Sequence, residues 1–141
     1  MELPKCFYRI SVKALIFDET RTRFLLVKEN KGTWEMPGGG IDWGEDAREC
    51  LKREIFEEMG LEPIWIAEKP CHFFSFQCPK GIPKAQIIYE VTLKDLDFTP
   101  SDECIALEFC TIEMANELQL LPSNELVIQA IKISGIQHVV S

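Results

Sequence analysis

The chain has 141 residues, 46% of them hydrophobic and 27% charged. That is enough to bury a real core, and it predicts one domain over residues 1–141. The net charge of −8 works against a nucleic-acid surface, which needs basic patches; it leaves an anionic small molecule open where metal ions supply the positive charge. No apolar run approaches membrane-spanning length, and the six cysteines follow neither a secretory segment nor C-x2-C spacing, so reduced thiols in a cytoplasm are expected.

Residues 7–17 (FYRISVKALIF) mix alternation with β-branched residues and predict a strand. A polar turn over 18–23 leads to a second strand over 24–28, so the pair predicts a hairpin. Asn30 to Gly32 is a turn, and Trp34 to Met36 a short extended piece. Pro37-Gly38-Gly39-Gly40 predicts a loop able to take positive φ and to bring backbone close to a ligand. A helix is expected from about Glu45 to Met59, with Gly60 at the position where glycine ends a helix. Residues 64–76 look extended with a break near Pro70, and 78–83 form a turn. Residues 85–93 alternate cleanly as a strand. Residues 107–111 predict a last strand and 112–118 a short helix. Ser123 or Asn124 caps a final helix reaching about Ile133. No repeat, linker or low-complexity segment interrupts this order, which implies an α/β layered domain.

The chemistry concentrates in GGIDWGEDARECLKREIFEEMGL, residues 39–61. Glu54, Glu57 and Glu58 lie at i, i+3 and i+4, on one side of a helix. Ala47, Cys50, Leu51 and Ile55 mark the apolar stripe, and Glu54 and Glu58 fall within it. Neither has a Lys or Arg at helical spacing on the same helix, so both are expected to lack a partner there. Only Glu57 has a cation at i−4, Arg53. An inward carboxylate is costly without compensation, and clustered hard oxygens suit Mg²⁺ or Mn²⁺. The alternative is a solvated acidic helix face.

The segment satisfies G-x5-E-x7-R-E-U-x-E-E-x-G-U, with U apolar, through Gly39, Glu45, Arg53, Glu54, Ile55, Glu57, Glu58, Gly60 and Leu61. This resembles the Nudix box without departure, and the Trp34-to-Gly39 run before it also resembles the Nudix hydrolase family. The resemblance implies an α/β/α sandwich with a mixed β-sheet. It also implies hydrolysis of a nucleoside diphosphate linked to another moiety X, with Mg²⁺ as cofactor and Mn²⁺ as a substitute. Carried onto matching positions, it makes Glu54, Glu57, Glu58 and the Gly39 carbonyl metal ligands. One of the glutamates, or an acid outside the box, is then the general base. Arg53 is expected to orient a glutamate, supported by its i,i+4 relation to Glu49 and Glu57. Glu45 opens the helix, where the dipole favours an acid.

Outside the box, Asp102 and Glu103 are candidates for the extra acid, with a solvated turn as the alternative. Arg9, Arg23 and Lys28 are candidates for phosphate contact, or plain surface charges. Phe74, Phe76, Tyr89 and Trp34 are candidates for stacking on a base, or core residues. His72 reads as structural or surface, and His138 as part of a frayed tail. The expected substrate is a nucleoside triphosphate, oxidised or not, or a small nucleotide conjugate. A non-catalytic nucleotide-sensing domain is the competing class. Messenger-RNA 5′-end processing is a third reading, disfavoured by the acidic balance. The expected partners are a small nucleotide and no membrane or long nucleic acid, with the protein a monomer or homodimer.

Overall fold

The structure, a computed structural model, describes residues 5–137, so the expectation for His138 lies outside the described residues. Eight strands and three helices follow in the order β1 (Arg9–Leu15), β2 (Phe24–Lys28), β3 (Trp34–Glu35), β4 (Gly38–Gly40), α1 (Ala47–Met59), β5 (Pro63–Ile66), β6 (His72–Gln77), β7 (Pro83–Leu93), β8 (Ala106–Cys110), α2 (Ile112–Asn116) and α3 (Asn124–Ile133).

Side-chain alternation along β1 and β2 lays out the layers. Val12, Ala14, Ile16, Leu25 and Val27 pack with Cys50, Leu51, Ile55 and Met59 of α1. Leu15, Phe24 and Leu26 pack instead with Ile88, Val127, Ile128 and Ile131, the last three on α3. Strands covered on both faces read as continuous apolar runs, which is why residues 24–27 are FLLV. Helix, sheet and helix thus form the expected α/β/α arrangement, with a mixed sheet at its centre.

That sheet has the order β4-β1-β7-β5, with β6 also pairing with β7. β1 and β7 run parallel from Arg9↔Lys84 to Leu15↔Glu90; β4, β5 and β6 join antiparallel. A second, antiparallel sheet has the order β3-β2-β8.

Two expectations need correction. Residues 7–17 and 24–28 do not form one hairpin. Phe17↔Phe24 is only an isolated bridge, and β1 and β2 belong to different sheets, because each strand finds a longer partner elsewhere. The glycine run is not a loop: Gly38, Gly39 and Gly40 pair with Lys13, Val12 and Ser11 as the edge strand β4. The 64–76 stretch is extended with its break at Pro70, as expected: β5 and β6 pair with successive parts of β7. The remaining boundaries differ by a few residues, as helix and strand ends do. α1 begins at Ala47 because Asp46, not Glu45, caps it, accepting the Glu49 N–H at 2.8 Å. α2 ends at Asn116. Ser123 is the cap of α3, while Asn124 holds the approach by accepting from Leu120 N–H and donating to the Leu118 carbonyl.

Gly38 carries the tightest constraint. Its φ is 125° and a Cβ there would overlap the Val12 carbonyl oxygen. Gly38→Ala should therefore cost about 3 kcal/mol, on the order of a 10 °C fall in Tm. A Tm within about 2 °C of wild type in a thermal melt would contradict this placement of β4.

Candidate active site

α1 is fixed at both ends before any side chain on it matters. Asp46 caps its start, and at its end Gly60, with φ 69°, donates its N–H to the Phe56 carbonyl at 2.8 Å. Between these points the helix presents Cys50, Leu51, Ile55, Glu58 and Met59 to the interior.

Glu58 is only 2% exposed. Its Oε1 accepts the Gly38 N–H at 2.8 Å. Glu54 is half-buried against β4, where a Cβ on Gly39 would overlap its carboxylate. Glu57 is exposed.

Arg53 ties these groups together. Nε and Nη2 fork onto Glu45 at 2.6 and 2.9 Å. Nη1 reaches Glu54 at 2.8 Å and Glu57 at 3.2 Å. Nη2 also donates to the Gly40 carbonyl at 2.9 Å and lies 3.4 Å from Asp42. This corrects two expectations. Glu54 has a cation after all, from the adjacent residue, because the long guanidinium folds back across the helix. Glu49 is not among the ion-pair partners of Arg53; its place is taken by Glu45, eight residues upstream.

Glu58 is not without compensation either. Lys13, 5% exposed, comes from β1 and donates to the Met36 carbonyl at 3.2 Å and the Gly38 carbonyl at 3.3 Å. It also lies 3.6 Å from Glu35. Burial dominates nevertheless, raising the Glu58 pKa to about 8 against the lowering pull of Lys13 and the Gly38 amide. Burial likewise raises Glu54, opposed by Arg53 and reinforced by Glu57 and Glu103. Glu29 is raised by burial and by the neighbouring Glu35 carboxyl. Glu45 moves the other way, to about 2, chiefly because Arg53 donates to it.

The segment after β7 closes the far side of the helix. Thr99 N–H reaches the Met59 carbonyl and Ser101 Oγ the Glu58 carbonyl, both at 2.8 Å. The Asn30 N–H holds the Asp102 carbonyl at 3.1 Å. Glu103 is thereby brought close enough for its charge to act on Glu54.

The other candidates scatter. Arg9 crosses Gly40 and donates to the Ile41 carbonyl at 2.6 Å. Lys28 lies 5.8 Å from the Trp34 ring. Arg23 is exposed at the start of β2, beside Cys110. Phe74 packs against the core under α3, its ring 6.0 Å from His72 and 5.9 Å from Phe76. Trp34 packs on that same core and Tyr89 on the α1 side. Among the described residues no hydrogen bond or ion pair joins Arg23, Lys28 or Phe74 to the box glutamates.

The sequence pattern of the NUDIX domain matches residues 7–131. The chain belongs to the Nudix family. It is 32% identical over 93 residues to an RNA pyrophosphohydrolase of a Nitratiruptor species, a match spanning 62% of this chain and 60% of that protein. It is 31% identical over 83 residues to Nudix hydrolase 26, chloroplastic, of Arabidopsis thaliana, spanning 58% of this chain and 38% of that one. The matched region is thus less than two thirds of either relative. Among solved structures, a UDP-X diphosphatase superposes with TM-score 0.75 at 22% identity, over 94% of this chain and 63% of that one. A MutT protein from Methanosarcina mazei Go1 gives 0.73 at 23%, over 94% and 96%. At these identities the structures bear on the fold, and they share it.

The Nudix box fits a divalent cation in donor chemistry. Hard carboxylate oxygens lie along one edge of α1, facing a backbone approach that only glycine at position 39 allows. They are not gathered into a closed cluster: among the described residues no three acidic, His or Cys side chains enclose a cation as they stand. The hydrogen bonds explain why, since Glu54 is held by Arg53 and Glu58 by Gly38. A cage is not required of Mg²⁺, which keeps several waters and shares its shell with phosphates.

Sequence reasoning missed Lys13 and Glu35. The signal for Lys13 was a lone charge inside an apolar strand, SVKALIF, on the same face as Leu15. Such a residue is seldom buried unless paired.

Glu58 makes stability depend on pH in a definite direction. Its ordinary pKa is 4.5 and its folded value about 8, so its contribution is complete below about 4.5 and is lost as pH rises through about 8. Glu45, lowered to about 2, contributes above about 4.5 and loses that only at lower pH. Glu29 and Glu54 shift the same way as Glu58, so a variant is needed to isolate it. Metal-free Glu58→Gln should show a flatter fall in Tm between about pH 5 and pH 9 than wild type. Parallel curves would place the Glu58 carboxyl in water instead.

Proposed function

We propose that this protein hydrolyses a phosphoanhydride bond in a nucleoside diphosphate linked to another moiety X, with Mg²⁺ or Mn²⁺ as cofactor. The observation carrying the reading is the constellation of Arg53, Glu54, Glu57, Glu58 and the Gly39 backbone on one edge of the molecule. The relative named as an RNA pyrophosphohydrolase supports the same bond class. A non-catalytic sensing role would not require the complete set.

Glu54, Glu57 and Glu58, with the Gly39 carbonyl, are the residues that would hold the metal. A bound divalent cation would neutralise the anionic bridge and lower the pKa of a water molecule. The protein's own residues do the rest. Arg53 holds Glu54 and Glu57 in fixed rotamers, which is worth much where catalysis depends on positioning. Glu58, whose proton burial holds into the neutral range, would have to release it to solvent to serve as a ligand. One of the three glutamates, or Glu103 beside Glu54, takes the proton of the attacking water. Displacement at phosphorus then needs mainly alignment and charge stabilisation.

A second reading is favoured by one observation: several of the relatives are named RNA pyrophosphohydrolases. A 5′-triphosphate on RNA carries the same bond. The net charge of −8 opposes a long polyanion unless contacts are confined to the first nucleotides. Competition between a nucleoside triphosphate and a short 5′-triphosphorylated oligonucleotide distinguishes the two.

With a panel of nucleoside triphosphates, dinucleoside polyphosphates, nucleotide sugars and ADP-ribose, hydrolysis should require Mg²⁺ or Mn²⁺ and stop with chelator. Glu57 is exposed, so Glu57→Gln should melt within about 2 °C of wild type while kcat falls at least about 100-fold. Near-normal turnover in that variant would remove Glu57 from the metal site.

A further inference from the structure

Three aromatic side chains stand out of the protein beside the box. Phe7 and Tyr8 are half-exposed and Trp43 is fully exposed. Trp43 is carried on the turn that leads into α1, closed by the Glu45 N–H on the Asp42 carbonyl at 3.2 Å. None of the three rings belongs to either core cluster. With Arg9, Asp42 and Glu45 they line a groove of about 640 Å³, a size typical of small-molecule sites.

The groove adjoins the candidate active site across the glycine strand, sharing Glu45 of the box with it. Its acidic wall, Asp42 and Glu45, is the same pair that engages Arg53, and Arg53 in turn holds Glu54 and Glu57. Both wall carboxylates are therefore already matched to a cation. Arg9 is not matched in this way: none of the ion pairs among the described residues engages it. A guanidinium free of carboxylates, in a chain of net charge −8, next to exposed rings, suits a ligand that is anionic at one end and flat and aromatic at the other.

We propose that this groove is the subsite for the aromatic ring of the substrate, stacked on Trp43 beside Tyr8, with Arg9 meeting the phosphate chain that runs from the glutamates. The substrate class is then a nucleoside phosphate gripped by its base. The proposal rests on the hydrolase reading above. Stacking on one aromatic side chain corresponds to about a tenfold change in affinity.

The test uses the full chain with Mg²⁺ and three proteins: wild type, Trp43→Ala and Trp43→Phe. Because Trp43 makes no core contact, both variants should fold as wild type does. KM for the nucleotide hydrolysed in the panel should rise about tenfold in Trp43→Ala, with the loss in KM rather than kcat, and return most of the way in Trp43→Phe. In a metal-free fluorescence titration, ATP or GTP should quench wild type but not Trp43→Ala, and inorganic tripolyphosphate, which has no ring, should quench neither. A KM in Trp43→Ala within about twofold of wild type would overturn the subsite while leaving the hydrolase reading intact. So would a change from dimer to monomer on gel filtration with KM unchanged, which would make the rings a self-association surface. Ring-dependent quenching without hydrolysis of any panel member would support the subsite and overturn the hydrolase reading.

Discussion

The guanidinium of Arg53 is the point through which the site is assembled. An arginine has five N–H donors in a planar fork, and here the five are matched by Glu45 twice, Glu54, Glu57 and the Gly40 carbonyl. These acceptors come from three places: the edge strand β4, the turn before α1 and the helix itself. One side chain thus sets how far the helix stands from the sheet edge and which way two of its glutamates point. A lysine would bring a compact charge without the fork and could not satisfy acceptors in three directions. The pairing also explains why Glu45 remains ionised far below its ordinary pKa while the half-buried Glu54, with the same partner, does not.

A second cation works from the other side of the edge strand. Lys13 grips the carbonyls on either side of Pro37 and so orients the Gly38 amide, whose N–H reaches Glu58. It does not neutralise Glu58 outright, because Glu35 competes for it. Desolvation wins, and the Glu58 proton is held into the neutral range. The site thus contains one carboxyl held low by the guanidinium, Glu45, one raised by burial despite the same partner, Glu54, and one raised to about 8 in the interior, Glu58. That spread comes from environment alone, since all three are glutamates.

How much of this was legible follows from the range of the interactions. The helix, its glutamates and its terminal glycine were readable because their spacing is local. Strands with clean alternation or solid apolar runs were readable for the same reason. What escaped was long-range. Lys13 meets Gly38 across 25 positions and Glu58 meets Gly38 across 20, and no local pattern announces either. The hairpin expectation failed because a short polar turn says only that the chain reverses. It does not say which sheet each arm joins, and β1 is claimed by β7, far along the chain. Glu54 looked unpaired because spacing rules treat i and i+1 as facing apart, whereas a long arginine bends back along the helix surface.

The three consecutive glycines show best why the box reads as sequence but acts as structure. Glycine has low strand propensity, so local reasoning makes Gly38-Gly39-Gly40 a loop. The fold makes it a strand, and each position excludes a side chain for a different reason: Gly38 for the Val12 carbonyl, Gly39 for the Glu54 carboxylate and Gly40 for the Arg9 guanidinium. Two of those neighbours are charged side chains on opposite sides of the strand. A Cβ at 39 would push the carboxylate off the edge of α1, and a Cβ at 40 would push Arg9 away from the groove beside Trp43. The glycine run is therefore a thin wall with a candidate metal ligand on one side and a candidate phosphate contact on the other. Its thinness is what would let a single substrate reach both.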